Sequence, residues 1–251
     1  MCLVAFAWKA HPRYRLVLAA NRDEFYSRPA GAMHWWPDQP ALLAGRDLQA
    51  GGTWLGISTS GRFATVTNYR EDLQRQHRGR SRGELVTGFV TRTETPLDYC
   101  SGIDPHGFAG FSLLALAGHE LAYVSNRGDE PRRLLPGVYG LSNASLDTPW
   151  EKVLRSKTGL VALLQHEIAA EPLFEMLRDA EPAASDDYAG TGLAPELARA
   201  VSAPFISTPD YGTRCSTVLT ITRSGVIEVQ ERRFDSDSVT TGDAHFRFEI
   251  A

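Results

Sequence analysis

The chain has 251 residues, of which 43% are hydrophobic and 22% are charged. These proportions are typical of a folded globular protein, and they exclude a disordered or fibrous chain. A net charge of -4 provides no overall field that would attract nucleic acid or an anionic membrane, so neither is an expected partner.

The N-terminal run and the cysteines indicate a compartment. The apolar run that follows Met1 has no basic segment before it, and Lys9 interrupts it too early for the apolar core of a signal peptide. No run approaches the roughly 20 apolar residues that span a bilayer. Three cysteines, Cys2, Cys100 and Cys215, do not make a disulfide framework, which favours a reducing environment. We therefore expect a cytoplasmic protein without a transmembrane segment.

Apolar runs rich in strand-forming residues predict a largely β structure. Cys2 to Trp8 and Arg15 to Ala20 are almost continuously apolar and are separated by His11-Pro12, which predicts an antiparallel pair buried on both faces. Further strands are predicted at 53–58, 63–68, 108–117, 121–125, 138–143, 217–222 and 226–233. Glycine-containing turns predict hairpins at 60–61, 118–119 and 224–225.

Two helices are predicted between these strands. Ser81 and Glu84 have the spacing of a capping box before an apolar run, and Thr148-Pro149 opens an amphipathic stretch over 150–165. The segment 181–193 lacks periodicity and is predicted to be a mobile loop within one domain of residues 1–251. Strands flanking central helices predict an α+β sandwich with sheet packed on sheet and helices outside.

Cys2 is the candidate nucleophile. Removal of Met1 would place its thiol and α-amino group on one Cα, and the amine, with a pKa of about 8, could accept the thiol proton without a histidine. Position alone also fits a small buried side chain at the start of a strand, because free cysteine is among the most buried residue types. Both interpretations stay open at this point.

The polar tetrapeptide Asn21-Arg22-Asp23-Glu24 follows the second predicted strand abruptly, which places it beside Cys2 if the first two strands pair. An aspartate there could orient the α-ammonium group. Arg22 could lower the pKa of the thiol or clamp an anionic substrate. An ordinary polar turn explains the same four residues equally well.

This tetrapeptide is also the signature of a known family, and five motifs accompany it. They are Met1-Cys2, Gly-Gly-Thr-Trp-Leu-Gly at 51–56, Thr-Asn-Tyr-Arg at 67–70, Gly-Leu-Ser-Asn at 140–143 and Tyr-Gly-Thr-Arg at 211–214. The chain is thereby identified as a member of the NRDE family, that of transport and Golgi organisation protein 2. The family resembles the N-terminal-nucleophile hydrolases of the choloylglycine hydrolase and penicillin V acylase kind, which implies a four-layer αββα sandwich.

The resemblance implies roles for individual residues. Cys2 matches the nucleophile, and Asp23 matches the acid that holds the α-amino group. Asn68 and Asn143 match residues that frame an oxyanion site, and Arg214 matches a late active-site arginine. Fixed donors suit a developing oxyanion, because each lost donor typically costs about 10²–10³ in rate. Contacts to substrate are expected from Asn21, Arg22, Glu24 and Trp54.

Two functions stay open. The first is hydrolysis or transfer of an acyl group from an amide or thioester by Cys2. The second is non-catalytic binding or trafficking of haem or an acyl lipid, linked to secretion and Golgi organisation, with Arg22 and Arg214 holding a carboxylate. The resemblance departs at Ala20, where the hydrolases carry arginine. A small apolar or acyl-containing ligand is expected. No cofactor or metal is expected, because the histidines and cysteines lack metal-site spacing.

Overall fold

The computed structural model describes residues 2–70, 79–184 and 193–251, so most of the predicted loop at 181–193 lies outside the described residues. The strands are β1 (Cys2–Trp8), β2 (Tyr14–Phe25), β3 (Ala30–Trp36), β4 (Gln39–Asp47), β5 (Leu55–Ser58), β6 (Phe63–Asn68), β7 (Phe111–Ala117), β8 (Glu120–Ser125), β9 (Asp129–Arg133), β10 (Gly137–Leu141), β11 (Tyr211–Thr222), β12 (Val226–Phe234) and β13 (Thr240–Glu249). The helices are α1 (Gly83–Val90), α2 (Pro96–Ser101), α3 (Glu151–Leu163), α4 (Ala170–Leu177) and α5 (Pro195–Ala200).

The strands form two antiparallel sheets. One has six strands in the order β10-β1-β2-β11-β12-β13, and the other has seven in the order β3-β4-β5-β6-β7-β8-β9. The predicted pairing of the first two strands and the three predicted hairpins are confirmed as β1–β2, β5–β6, β7–β8 and β11–β12. Short turns join these pairs, so neighbours in sequence became neighbours in the sheet.

The two sheets pack face to face and are covered by helices on both outer faces. Phe6 and Leu18 of the six-stranded sheet share the inter-sheet core with Ile57 of the other sheet. A second cluster joins the outer face of the six-stranded sheet to α3 and α4, and a third joins the outer face of the seven-stranded sheet to α1 and α2. The predicted αββα sandwich is therefore confirmed.

The helices carry the predicted signals. In the capping box before α1, the Ser81 backbone N–H donates to Glu84 Oε1 at 3.1 Å, and the Ser81 hydroxyl accepts from the Gly83 N–H at 3.3 Å. The second predicted helix corresponds to α3, which follows Pro149 and has 13 residues. A bilayer crossing needs about 20 residues, and no helix within the described ranges has the length and apolar character for one.

Three of the strands that the sequence pattern missed lie at sheet edges. β3 and β9 are the outer strands of the seven-stranded sheet, and β13 is an outer strand of the six-stranded one. Edge strands carry polar and charged residues that discourage pairing with other chains, so they lack the apolar pattern of central strands. The missed β4 is interrupted by Pro40 and Gly45. The short helices α2, α4 and α5 were also missed.

The prediction that the second strand ends at Ala20 is wrong, because β2 continues to Phe25. Arg22 pairs with Cys2 of β1, and Glu24 pairs with Gly212 of β11. Backbone pairing on both sides keeps the signature tetrapeptide extended, although its side chains are polar. The tetrapeptide is therefore a segment of a central strand and not a turn.

Asn21 ties this strand to the outer helical layer. Its Nδ2 donates to the carbonyl oxygens of Leu177 and Pro204, both at 2.9 Å, and its Oδ1 accepts from the Ser216 hydroxyl at 2.6 Å. Only 2% of Asn21 is exposed. A buried amide with these bonds is a structural group, because losing it would leave several buried partners unsatisfied.

We expect Asn21→Ala to lower the free energy of unfolding by about 2–4 kcal/mol, since unsatisfied buried partners cost about 1–3 kcal/mol each. Urea denaturation measures the change. Gln165→Ala is the control, because Gln165 is exposed and should change stability by less than about 0.5 kcal/mol. Equal effects of the two substitutions would contradict the structural role of Asn21.

Candidate active site

The register of the six-stranded sheet places four functional side chains in one row. Cys2 lies opposite Arg22, Arg22 opposite Cys215, and Cys215 opposite Arg233. Directly opposed residues of an antiparallel pair project to the same face, with Cβ atoms about 4.5–5.5 Å apart. Ala20, two residues before Arg22 on the same face, belongs to the inter-sheet core. The row therefore faces the seven-stranded sheet.

A cleft of about 520 Å³ opens beside this row, and we call it the Cys2 cleft. Its lining includes Cys2, Arg22, Asp23, Glu24, Arg28, Asp47, Thr53, Trp54, Asn68, Arg80 and Arg82. The volume falls in the range of about 300–1,000 Å³ typical of small-molecule sites. The walls are mostly polar and charged. Across the described residues, no group of three histidine, cysteine or carboxylate side chains is placed to hold a metal ion.

Cys2 is half-buried at the start of β1. Its backbone carbonyl accepts a hydrogen bond from the Ser142 hydroxyl at 2.8 Å, which joins the first motif to the motif at 140–143. Burial raises the pKa of the Cys2 thiol, the negative charge of Asp23 raises it further, and the positive charge of Arg22 opposes the rise. The thiol is therefore protonated near neutral pH, and nucleophilic attack by it requires a base.

Asp23 is buried next to Arg22 and is held by the motif at 211–214. Its Oδ1 accepts from the Thr213 hydroxyl at 2.7 Å, and its backbone carbonyl accepts from the Tyr211 hydroxyl at 2.9 Å. Burial raises the pKa of Asp23, whereas the Lys152 ammonium and the Thr213 hydrogen bond oppose this rise. Asp23 thus has fixed partners beside the cleft, which suits a carboxylate that orients a cation.

Lys152 is a second buried charge near the site, and the sequence pattern did not reveal it. It is 1% exposed in the first turn of α3, and its ammonium group donates to the Val201 carbonyl at 3.0 Å. Burial lowers its pKa to about 8, although the charge of Asp23 opposes this shift. The sequence does contain one signal for it. Lys152 lies four residues before Ser156, so both residues fall on the same buried face of α3.

The two asparagines assigned to an oxyanion site are linked but lie in different positions. Asn68 ends β6 and lines the Cys2 cleft. Asn143 is 1% exposed, and its Nδ2 donates to the backbone carbonyl of Asn68 at 2.8 Å. The Asn143 carbonyl in turn accepts from the Arg70 backbone N–H at 2.8 Å. Asn143 therefore positions the Asn68 segment, and Asn68 is the better placed of the two to meet a ligand.

Arg22 and Trp54 form a stacked pair in the wall of the cleft. The guanidinium carbon of Arg22 lies 4.2 Å from the centre of the Trp54 ring, and Arg22 Nη2 lies 4.0 Å from Glu24 Oε2. Just before Trp54, a Cβ at Gly52 would lie 2.8 Å from the carbonyl carbon of Gly83. Glycine at 52 thus lets the start of α1 approach the segment that carries Trp54, which explains the second glycine of that motif.

Besides Asn143, two further predicted residues lie outside the lining of the Cys2 cleft. Asn21 faces α4 with its amide engaged, as described above. Arg214 lines a smaller cavity of about 80 Å³, together with Arg22 and Trp54. Arg214 Nη1 also donates to the backbone carbonyls of Phe25, Tyr26 and Arg28. Arg214 therefore holds the turn after β2 in addition to facing this second cavity.

The other cysteines differ in their surroundings. Cys100 packs among apolar residues under α1 and α2, and burial raises its pKa to about 12. Cys215 lines the second cavity, where burial and the carboxyl group of Glu231 raise its pKa well above the ordinary value. Neither lines the Cys2 cleft. Among the three thiols, Cys2 is thus the one that faces this cleft.

The chain resembles proteins named for transport and Golgi organisation. A family model described as Transport and Golgi organisation 2 matches residues 1–236. The chain is similar to the Transport and Golgi organization protein 2 homolog of Homo sapiens, with 36% identity over 257 residues and 92% coverage of each protein. It is also similar to Transport and Golgi organization protein 2 of Drosophila melanogaster, with 27% identity and 88% coverage of each.

Two solved structures resemble the fold. A Caenorhabditis elegans N-acylethanolamine-hydrolyzing acid amidase ortholog has a TM-score of 0.51 at 9% identity, covering 87% of this chain and 92% of that one. A mutant conjugated bile acid hydrolase from Clostridium perfringens has a TM-score of 0.52 at 7% identity, covering 100% and 98%. Identities this low show the fold alone. The chain belongs to the Transport and Golgi organisation 2 family and has the fold of the N-terminal-nucleophile hydrolases.

Proposed function

We propose that this protein is an acyl-transfer enzyme in which Cys2 attacks an amide or thioester and passes the acyl group to water or another acceptor. The observation that carries the proposal is the position of the Cys2 thiol in a cleft of about 520 Å³, with Arg22 opposite and Asp23 alongside. Other lining residues include polar side chains that could contact a substrate. The likeness of fold to an acid amidase ortholog and to a mutant bile acid hydrolase adds support by analogy.

The proposed reaction begins after Met1 is removed. The freed α-amine of Cys2 takes the thiol proton, and the thiolate adds to the acyl carbon. The oxyanion formed on the carbonyl oxygen accepts hydrogen bonds from Asn68, and Asp23 orients the α-ammonium group. The ammonium then gives its proton to the leaving amine or thiol as that bond breaks. Water, deprotonated by the same amine, releases the acid and restores the thiol.

The second candidate is non-catalytic binding of haem or an acyl lipid in the same cleft. The raised pKa of Cys2 favours it, because a protonated thiol is a poor nucleophile. Relatives named for transport and Golgi organisation also fit a carrier. Against it stand the charged walls of the cleft, which suit a polar ligand better than an apolar one. We therefore place the enzymatic function first.

The proposed reaction requires that Met1 is absent from the working protein. We expect the intact mass of native protein to lack one methionine, because a small second residue favours its removal and the α-amine of Cys2 must be free to act as the base. Mass spectrometry of protein isolated from its own source measures this. A native mass that retains Met1 would eliminate the amine as base.

We expect Cys2→Ala to reduce hydrolysis of p-nitrophenyl acetate to the level of the uncatalysed reaction, since no acyl-enzyme can form. Cys100→Ala is the matched control, because it removes a buried thiol outside the cleft and should keep activity on folded protein. Release of p-nitrophenol, with mass detection of acetylated Cys2, measures both. Activity that survives in Cys2→Ala and matches the control would refute the acyl-transfer proposal.

Asn68→Ala should lower kcat by about 10²–10³ with little change in KM, because an oxyanion donor acts mainly in the transition state. Steady-state kinetics with the same ester measure both constants. A rise in KM at constant kcat would instead assign Asn68 to ground-state binding.

A further inference from the structure

The second cavity, of about 80 Å³, is lined mainly by side chains that the proposed reaction does not use, and we call it the arginine cavity. Its charged and polar lining includes Arg22, Arg214, Arg233, Glu231, Cys215 and Thr241, and Trp54 and Phe234 form apolar walls. Three guanidinium groups thus face one carboxyl group. The arginine cavity shares Arg22 and Trp54 with the Cys2 cleft, so this stacked pair contributes to both.

The sheet builds this cavity through strand alternation. Glu231 and Arg233 follow Ile227 and Val229 at intervals of two on β12, and both of those apolar residues belong to the inter-sheet core. Glu231 and Arg233 therefore point between the sheets. A Cβ at Gly242, opposite Arg233, would lie 2.5 Å from Arg233 Nη2, so glycine there makes room for the guanidinium group.

The three arginines of this cavity have few anionic partners. Within the described residues, no carboxylate lies within 4.0 Å of Arg214 or Arg233, and Arg22 has only Glu24 at the limit of 4.0 Å. Nη1 of Arg22 and the Nε atoms of Arg214 and Arg233 are buried without a hydrogen-bond partner. Glu231 uses Oε1 to accept from the Met33 backbone N–H at 2.8 Å.

The arginines that line only the Cys2 cleft behave differently, because at least two of them are closely paired. Arg28 lies 2.8 Å from Asp47, and Arg80 lies 2.8 Å from Glu84. In the arginine cavity the arginine charges repel one another. Burial lowers the pKa of Arg214, and the positive charge of Arg22 lowers it further. The lack of a close carboxylate partner therefore distinguishes Arg214 and Arg233 of the arginine cavity from Arg28 and Arg80 of the Cys2 cleft, among the residues that the structure describes.

Buried positive charges without partners are costly, and folded proteins pair them or place them where an anion binds. Arg22 is 5% exposed and lines the cavity, and its Nη1 has no hydrogen-bond partner. Surrounding solvent therefore does not supply the hydrogen bonds that this buried positive charge needs. We propose that the arginine cavity is a binding site for a small oxyanion, a carboxylate or phosphate group, held by Arg22, Arg214 and Arg233.

The cavity limits the size of this anion. A volume of about 80 Å³ exceeds the roughly 10–15 Å³ that one water molecule requires and is far below the several hundred Å³ of a site for a whole metabolite. The site thus takes a free small anion or the charged end of a longer ligand that also occupies the Cys2 cleft. Planar guanidinium groups suit both chemistries, because they bind carboxylate and phosphate oxygens in pairs.

An anion in this site acts on Cys2 through their common neighbour. Arg22 lies opposite Cys2 in the sheet, and its positive charge favours the thiolate. An oxyanion bound to Arg22 offsets that charge, so the Cys2 thiol becomes less reactive while the anion is present. This effect concerns the chemistry of the thiol and holds whether or not Cys2 is catalytic, so the failure of the proposed function would leave it intact.

The test uses inorganic phosphate and the full-length protein. We expect phosphate to raise Tm above its value in sodium chloride of equal ionic strength, and Arg233→Met to weaken phosphate binding at least about tenfold in calorimetric titrations. Arg232→Met is the matched control. Arg232 is adjacent on β12 but is paired with Glu171 at 2.9 Å and Asp243 at 3.1 Å, so its loss should leave phosphate binding unchanged.

Two further measurements complete the test. Alkylation of Cys2 by iodoacetamide, followed by peptide mass, should slow in phosphate for the unsubstituted protein and for Arg232→Met but not for Arg233→Met. The affinities for glutarate and acetate distinguish the two sources of the anion. An affinity for glutarate at least tenfold higher than for acetate would identify the charged end of a longer ligand, whereas equal affinities would identify a free anion. No stabilisation by phosphate, or equal phosphate affinity in Arg233→Met and Arg232→Met, would overturn the proposal.

Discussion

The register between β1, β2 and β11 is the constraint on which both cavities depend. Apolar residues such as Phe6 and Leu18 fix this register, because they must face the seven-stranded sheet. A slip of one residue would turn them to the outer face, and it would carry Cys2 and Arg22 with them. The hydrophobic core thus determines where the polar site lies, and the polar residues occupy the same strands beyond its edge.

The site contains charged groups that are buried from water, and most of them have their own hydrogen-bonding or charged partners. Asp23 has the Thr213 hydroxyl and the nearby Lys152 ammonium, and Lys152 has the Val201 carbonyl. These partners come from β11, α3 and the segment after α5, so the layers must assemble before the charges are satisfied. Such compensation is expected, because a buried charge left without partners costs several kcal/mol. Arg22 is less well compensated, since among the described residues its one ion pair, with Glu24, is at the 4.0 Å limit.

The fold and the site residues provide different kinds of evidence about function. Solved relatives at 7% and 9% identity share the sandwich, and a shared fold does not by itself transfer an activity. The proposed acyl transfer therefore depends on Cys2, Asp23 and Asn68 around one cleft. The stacked pair of Arg22 and Trp54 is common to both cavities, so ligand binding in one is physically connected to the other.

The sequence by itself predicted the elements that have strong local signals. Central strands such as β1 appear as apolar runs, hairpins appear as glycine turns, and α1 appears as a capping box, because each depends on neighbours in the chain. The motifs also identified the family and the sandwich, together with Cys2, Asp23 and Asn68 as candidates. Edge strands such as β13 were not predicted, because their mixed polar sequences resemble those of loops.

Only the tertiary structure decided how the individual polar residues are used. Asn21 was expected to contact substrate and Asn143 to frame an oxyanion site, and the structure shows that their amides bind backbone carbonyls supplied by distant segments. Arg214 proved to face a second cavity, and Arg233 joined it there although no motif contains it. The physical reason is that hydrogen bonds and charge pairs form between residues far apart in the chain. The sequence therefore names the chemical groups, and the packing of the two sheets determines which of them meet.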